Sequence, residues 1–342
     1  MATRALSRIS RCAAKVEGTY NTDPGTTLST DGVLIAEAPN VVPNFNWLAT
    51  PATVARTLTQ QHKDVLSFAD LPVRLRGFLQ GSGTLGSRTP ASFAGQDAIF
   101  RACGMASTAT PSTGPIAYTP AVISSGSLES VWLDLENDGQ IQEAGGCVGN
   151  ITFSAQAQGR VAWEFTGMAH YRAPSSGNLS SSFALTDRTE VFNSVTGGIK
   201  PSDGSTYNSA GGLVLAGFEF NRGAVIQREI SATATYGINS FFIESSRPTL
   251  SVTIAADTAS ANLDIFDIPP DIAGRTDHGV EFKYGTTPNA VLWGFPTAQL
   301  LNYRKGVVNG YDTITLEYLI RHTTKESEFS IKIGEESLAI AT

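Results

Sequence analysis

The 342-residue chain is poor in charge: Asp, Glu, Lys and Arg make up 16% of it, against roughly 25% in ordinary soluble domains. That scarcity argues against a coiled coil, whose Glu, Lys and Leu content is high, and the 41% of apolar residues argues against wholesale disorder. No apolar run approaches the length of roughly 20 residues needed for a membrane helix. Cysteine is scarce too. Cys12, Cys103 and Cys147 are an odd number without CxxC spacing, which excludes a disulfide framework and a zinc-ribbon pattern. His62, His170, His278 and His322 are scattered, with no HExxH and no HxxxH pair. A GxSxG elbow is missing as well. These absences leave no catalytic constellation and no cofactor. The net charge of −7 disfavours gripping nucleic acid by its phosphates.

One absence is local. Between Arg101 and Arg160 there is no Lys, Arg or His, while Glu129, Asp134, Glu136, Asp138 and Glu143 all fall there. Read by itself, such a block is a solvated face. Read functionally, it is a surface that polyanions touch without sticking, because no counterions are released there. The opposite sign gathers at the N-terminus. Arg4, Arg8, Arg11 and Lys15 are spaced by four, three and four, which places them on one stripe if the segment is helical. That pattern is shared by organellar presequences and by arms that dock on a neighbour.

What is present is alternation. Val73 and Leu75 point one way, and Arg74 and Arg76 the other. Val131 to Leu135 runs into the turn Asn137-Asp138-Gly139. Ile151 to Ala155, the Gln158-Gly159 turn, and Val161, Trp163 and Phe165 read as a hairpin. Period-two segments continue at 213–220, 251–255, 280–284, 291–295, 313–320 and 329–333. The expected fold is mainly β, an antiparallel sandwich or half-barrel with long loops. One flanking helix is expected at 91–103, with Thr89 as N-cap, Pro90 in the first turn and Gly104 as C-cap. Gly81-Ser-Gly83-Thr-Leu-Gly86 matches GxGxxG. Four residues separate it from the helix and no βαβ unit follows, so it reads as a turn rather than a dinucleotide site. Phe45 and Trp47 lie in a long irregular stretch of the kind that contacts partners. Trp132, Trp163 and Phe165 could form a sugar platform, although alternation marks them as core.

Several segments, taken in order, resemble the major tail tube proteins of long-tailed bacteriophages. They are Lys15-Val-Glu17 with Tyr20-Asn-Thr-Asp23-Pro24, and Val73-Arg-Leu-Arg-Gly77 leading to Leu79-Gln-Gly-Ser-Gly83 and Thr89-Pro90. Ile99-Phe-Arg-Ala-Cys-Gly104, Ile116-Ala-Tyr-Thr-Pro120 and Gly145-Gly-Cys-Val-Gly149 follow. Trp163-Glu-Phe-Thr-Gly167, Pro296-Thr-Ala-Gln-Leu300 and Asn309-Gly-Tyr-Asp312 complete the series.

The resemblance implies a structural virion protein without catalysis. Copies would close into hexameric rings through a head-to-tail interface, and the rings would stack into a DNA-delivery tube. Its implied partners are other copies of itself, tape-measure and tail terminator proteins, and phage DNA passing through the lumen without specific binding. No membrane anchor or cofactor is implied, and the location would be the virion tail, assembled in the bacterial host cytoplasm. In this light Glu129, Asp134, Glu136, Asp138 and Glu143 become candidate lumen-facing residues, and Arg4, Arg8, Arg11, Phe45 and Trp47 candidate inter-subunit contacts. Removing residues 1–16 is then expected to impair polymerisation more than folding. The chain divides into an arm and assembly loop (1–68), a β-sandwich core (69–235) and C-terminal strands (236–342). The last part either completes the tube sheet or forms an outer decoration domain. Other readings are a carbohydrate-binding β-sandwich, a tail terminator, or a contractile-secretion tube protein.

Overall fold

The computed structural model describes residues 10–48, 65–81, 94–109, 115–121, 128–137, 139–179, 189–193, 195–201, 215–234, 236–255, 272–275, 277–286, 289–308, 310–322 and 327–334. The strands of the first half are β1 (Ser10–Val16), β2 (Gly32–Val33), β3 (Asn40–Val41), β4 (Asn44–Leu48), β5 (Val65–Phe78), β6 (Met105–Ala109), β7 (Ile116–Pro120), β8 (Val131–Asn137), β9 (Gln140–Gln156) and β10 (Ala162–His170). Those of the second half are β11 (Ser175–Ser176), β12 (Thr196–Pro201), β13 (Leu215–Asn221), β14 (Ala224–Ile230), β15 (Ile238–Ser246), β16 (Thr249–Ala255), β17 (Asp277–Tyr284), β18 (Val291–Val308), β19 (Tyr311–Ile320) and β20 (Ser330–Ile333). Helices α1 (Leu28–Asp31) and α2 (Ala94–Ala102) lie between them. The chain is mainly β, and the strand pairings are antiparallel.

Two long strands organise the sandwich. β9 has β10 along one edge, while its other edge meets first β8 and then β13. β18 has β17 on one side, and also pairs with β20 near its start and with β19 over its second half. The result is one broad sheet in the order β4/β3–β5–β10–β9–β13–β16–β19–β18. A second layer, β12–β17–β18–β20–β7–β6, packs against it through the shared β18. Strands beyond residue 236 therefore hydrogen-bond directly to strands before it: β16 lies on β13, and β20 on β7.

β9 changes partners at Gly145 to Gly149. Gly146 sits at φ +62, which favours glycine, and the register against β10 slips between Met168 and His170. At Gly149 a Cβ would overlap the Phe165 ring, so the close approach of β10 also requires glycine.

Alternation makes the core. Phe153, Phe220, Trp293 and Phe295 point between the layers, with Phe153–Trp293 centroids 5.1 Å apart and Phe220–Phe295 centroids 5.1 Å apart. Phe100 of α2 meets Phe153 at 5.3 Å and Tyr118 at 5.1 Å. Burying one such ring removes on the order of 200 Å² from water, about 5 kcal/mol of gross transfer free energy. Trp132, Trp163 and Phe165 are 1%, 1% and 0% exposed. They are core residues and present no platform to a sugar.

The helix begins, within the described residues, at Ala94; Thr89 and Pro90 lie outside them, as does the Gly-rich run after Gly81. Gly104 follows at φ +71, the left-handed cap expected for it. Gly95 packs on the carbonyls of Asp31 and Gly32, where a Cβ would not fit. At Arg11 and Lys15 the helical reading of the N-terminal cations gives way to a strand, while Arg4 and Arg8 lie outside the described residues. Ser10–Val16 pairs with β2 and, over its whole length, with β8. Cys12, Ala13 and Ala14 are fully buried, because small side chains let β1 lie close beneath α2.

Candidate assembly and channel surfaces

The broad sheet has one apolar and one polar face. Register alignment puts Arg74 and Arg76 (β5), Glu164 and Thr166 (β10), Thr152 and Ser154 (β9), Glu219 (β13), Ser251 and Thr253 (β16), Thr315 and Glu317 (β19), and Asn302 and Arg304 (β18) on the same side. The face is concave, with a hollow of about 630 Å³ over Ser154, Gly217, Glu219, Ser251 and Thr253. Its strand positions carry three cations (Arg74, Arg76, Arg304) and three acids (Glu164, Glu219, Glu317), and Arg160, over the Phe78 ring, adds a fourth cation to the lining of the hollow.

Two of the arginines are paired on the face itself. Arg74 donates Nε–H to Glu164 Oε1 at 2.8 Å and Nη2–H to Oε2 at 2.9 Å, a bidentate fork. Arg304 donates Nε–H to Glu317 Oε1 at 2.6 Å. Both pairs are solvent-facing, with Arg74 52% and Arg304 72% exposed, and such pairs add little to stability. Their consequence is electrostatic: the guanidinium groups already have an anion.

The acidic block is elsewhere, on the sheet formed by β1, β8 and the first half of β9. Asp134 is 8% exposed and accepts hydrogen bonds from Trp132 Nε1–H at 2.9 Å and from the Thr26 hydroxyl. Burial raises its pKa. Glu136 is 2% exposed, accepts from the Leu179 N–H at 3.0 Å, and lies 3.5 Å from the Arg11 guanidinium. Burial removes both from any open surface of the chain, which corrects their assignment to the wall of a channel. Glu129 is bound by Arg101. Glu143 faces Arg172 at 4.0 Å, and its pKa is raised by partial burial and by Asp134 across the strand pair. Asp138 lies outside the described residues. Cations absent from residues 102–159 of the chain thus reach this sheet from Arg11, Arg101 and Arg172.

Among the predicted contact residues, Arg4 and Arg8 lie outside the described residues. Arg11 is engaged within its own chain, by Glu136 and by donating to the Leu179 carbonyl at 3.0 Å. Phe45 and Trp47 are on β4, which is a strand rather than an irregular loop. They are 40% and 53% exposed, beside Val42 at 65% and Leu48 at 56%. β4 has β5 on one side and, among the described residues, no strand on the other. The far edge of the same sheet is the second half of β18. Its β17 partner ends at Gln299, and beyond it Leu301 (42% exposed) and Val307 (67% exposed) stand in solvent.

Sequence reasoning missed Glu164, Glu219, Glu317 and Arg304 as members of a single surface. Each sits at a polar position of an alternating strand, so the parity was visible; the pairing order that joins them was not. No family profile and no curated protein sequence matches the chain.

Proposed function

We propose that this chain is a structural subunit, without catalysis, of the tail tube of a long-tailed bacteriophage. In this reading it assembles in the host cytoplasm into stacked hexameric rings within the virion tail. The observation that carries the reading is a concave polar sheet with arginines and glutamates side by side, bounded, among the described residues, by two open edges with exposed apolar side chains. An edge strand with unpaired backbone groups and exposed Phe45, Trp47 and Leu48 is an aggregation hazard unless another strand covers it. The β18 edge of a second copy supplies such a strand together with Leu301 and Val307. Since the two edges differ, their union is head-to-tail, and it must close into a ring or run on without limit. Closure turns the polar faces inward.

A duplex in that channel meets hydroxyl groups and, at Arg74 and Arg304, guanidinium groups already bound by glutamates. A phosphate that displaced Glu164 or Glu317 would exchange one ion pair for another, with little gain from counterion release. The wall then guides DNA without holding it. Tape-measure and terminator proteins are the remaining partners of this reading.

Electron microscopy of the purified protein tests it. Hollow tubes or six-fold rings are expected, and a persistent monomer at high concentration overturns the proposal. Trp47→Lys and Val307→Lys should each arrest assembly at the monomer while leaving the circular dichroism melting curve unchanged.

A further inference from the structure

A second cleft, of about 500 Å³, lies between the end of β10, the turn after β1 and the tip of the β14–β15 ribbon. That is within the size range of small-ligand sites. Tyr171 and Tyr236 stand on its rim with ring centroids 5.5 Å apart, edge to face. Asn21, His170, Arg172 and Asn239 complete the lining.

Its polar groups are only partly used. Among the described residues the phenol oxygens of Tyr171 and Tyr236 make no hydrogen bond. Arg172 is turned to its own neighbours, with Nη2–H donating to Asn21 Oδ1 at 3.2 Å and Nη1 facing Glu143 at 4.0 Å. Asn21 accepts from Arg172 Nη2–H through Oδ1 at 3.2 Å, which leaves its amide N–H groups open. Asn239 donates through Nδ2 to Glu229 at 2.8 Å, which leaves its Oδ1 open. Donors and acceptors of both kinds therefore converge on one space beside two aromatic rings.

The cleft holds little net charge. Arg172 stacks on Trp132 at 4.5 Å and faces Glu143 at 4.0 Å. His170 is neutral at ordinary pH, since burial and the nearby Arg172 lower its pKa to about 4. An anion finds a cation whose charge is already offset. An apolar ligand would leave the open amide and phenol groups unpaired, at a cost for each. A neutral ligand with many hydroxyl groups and an apolar C–H face satisfies both the rings and the polar atoms.

We propose that this cleft binds a neutral carbohydrate of one or two sugar units, with Tyr171 and Tyr236 against the sugar ring and the open Asn21 amide N–H groups and Asn239 Oδ1 to its hydroxyl groups. The site belongs to the single chain, so binding does not require assembly. In an array of many copies, weak individual sites would act together.

The test uses the full chain, with saturation-transfer NMR and calorimetry against glucose, maltose, lactose, N-acetylglucosamine and chitobiose. Glucose 6-phosphate and uridine serve as the anionic and nucleobase controls. At least one neutral sugar is expected to bind, with a Kd of about 1 mM. Tyr171→Ala and Tyr236→Ala should each weaken binding at least about tenfold, with Tyr236→Phe between wild type and Tyr236→Ala. If either alanine variant fails to fold, Tyr236→Phe and Asn239→Ala carry the test at the protein surface. No transfer to any neutral sugar at tens of millimolar overturns the proposal. So does binding that none of these variants changes, or binding confined to a control ligand.

Discussion

Tyr20 joins three segments far apart in sequence. Its hydroxyl accepts the Phe241 N–H at 2.7 Å, lies 3.1 Å from His170 Nε2 and 3.3 Å from the Gly146 carbonyl. Three residues earlier, Glu17 accepts the Gly146 N–H at 2.8 Å, the Asn21 N–H at 2.9 Å and the Ser130 hydroxyl. These contacts fasten the turn after β1 to the bend of β9 and to the ribbon. His170 makes the cluster pH-sensitive. Its pKa is about 4 in the folded chain, with burial the main cause and Arg172 the second, against roughly 6.5 when unfolded. Between those values the unfolded chain binds more protons, so stability rises with pH. The contribution is complete above the unfolded value and is lost as pH falls toward the folded one. Urea midpoints should therefore drop from pH 7 to pH 5, and drop less in His170→Gln. Equal drops in the two proteins would remove His170 as the cause. None of this network was legible in the sequence, where His170 is one of four scattered histidines.

At the scale of elements, β1 shows how one pattern supports two structures. A spacing of four places Arg11 and Lys15 on one face of a helix, but also on one face of a strand, whose period is two. The intervening Cys12-Ala13-Ala14 run decides the matter by packing into the core at 0% exposure. Arg11 then lies across from Glu136, and Lys15 reaches Asp31 at 3.6 Å. Removing residues 1–16 takes away a strand hydrogen-bonded to both β2 and β8. The truncated protein should lose its cooperative unfolding transition, rather than remain a folded monomer that fails to polymerise. A sharp melting curve from the truncation would contradict this. Helix α2 is the converse case. Its C-cap was readable from Gly104, while Gly95, unfavourable in a helix interior by about 1 kcal/mol relative to Ala, is explained only by the carbonyls packed on it.

For the molecule as a whole, the pairing of charge on the concave face is the property to alter. Glu164→Lys with Glu317→Lys frees Arg74 and Arg304 and adds two cations. The double variant should fold and, if the tube reading holds, assemble as before, because the exposed pairs contribute only about 0–1 kcal/mol each. Its assembled tubes should retain duplex DNA at low salt and release it as salt rises, whereas wild-type tubes should retain little at any salt. The readout is co-sedimentation of DNA with tubes across a salt series. Retention that does not differ between the two would exclude this face from the channel.

The order of residues was enough to set the fold class, the main core strands and the turns at Gly139 and Gly159, but not β1, β4 or the β14–β15 ribbon. The 151–165 hairpin and the turn at Gly139 follow from a two-residue period and local turn chemistry, which depend on near neighbours in the chain. Which polar residues share a surface depends instead on pairing between distant strands, such as β13 with β9 and β20 with β7. Register assembled Arg74, Glu164, Glu219 and Glu317 into one face, and it brought Arg11, Arg101 and Arg172 to acids that had looked unopposed. A run without cations is thus not a surface without cations. Hydrogen-bonded pairing neutralises charge across the sheet, over distances along the chain that composition and periodicity do not encode.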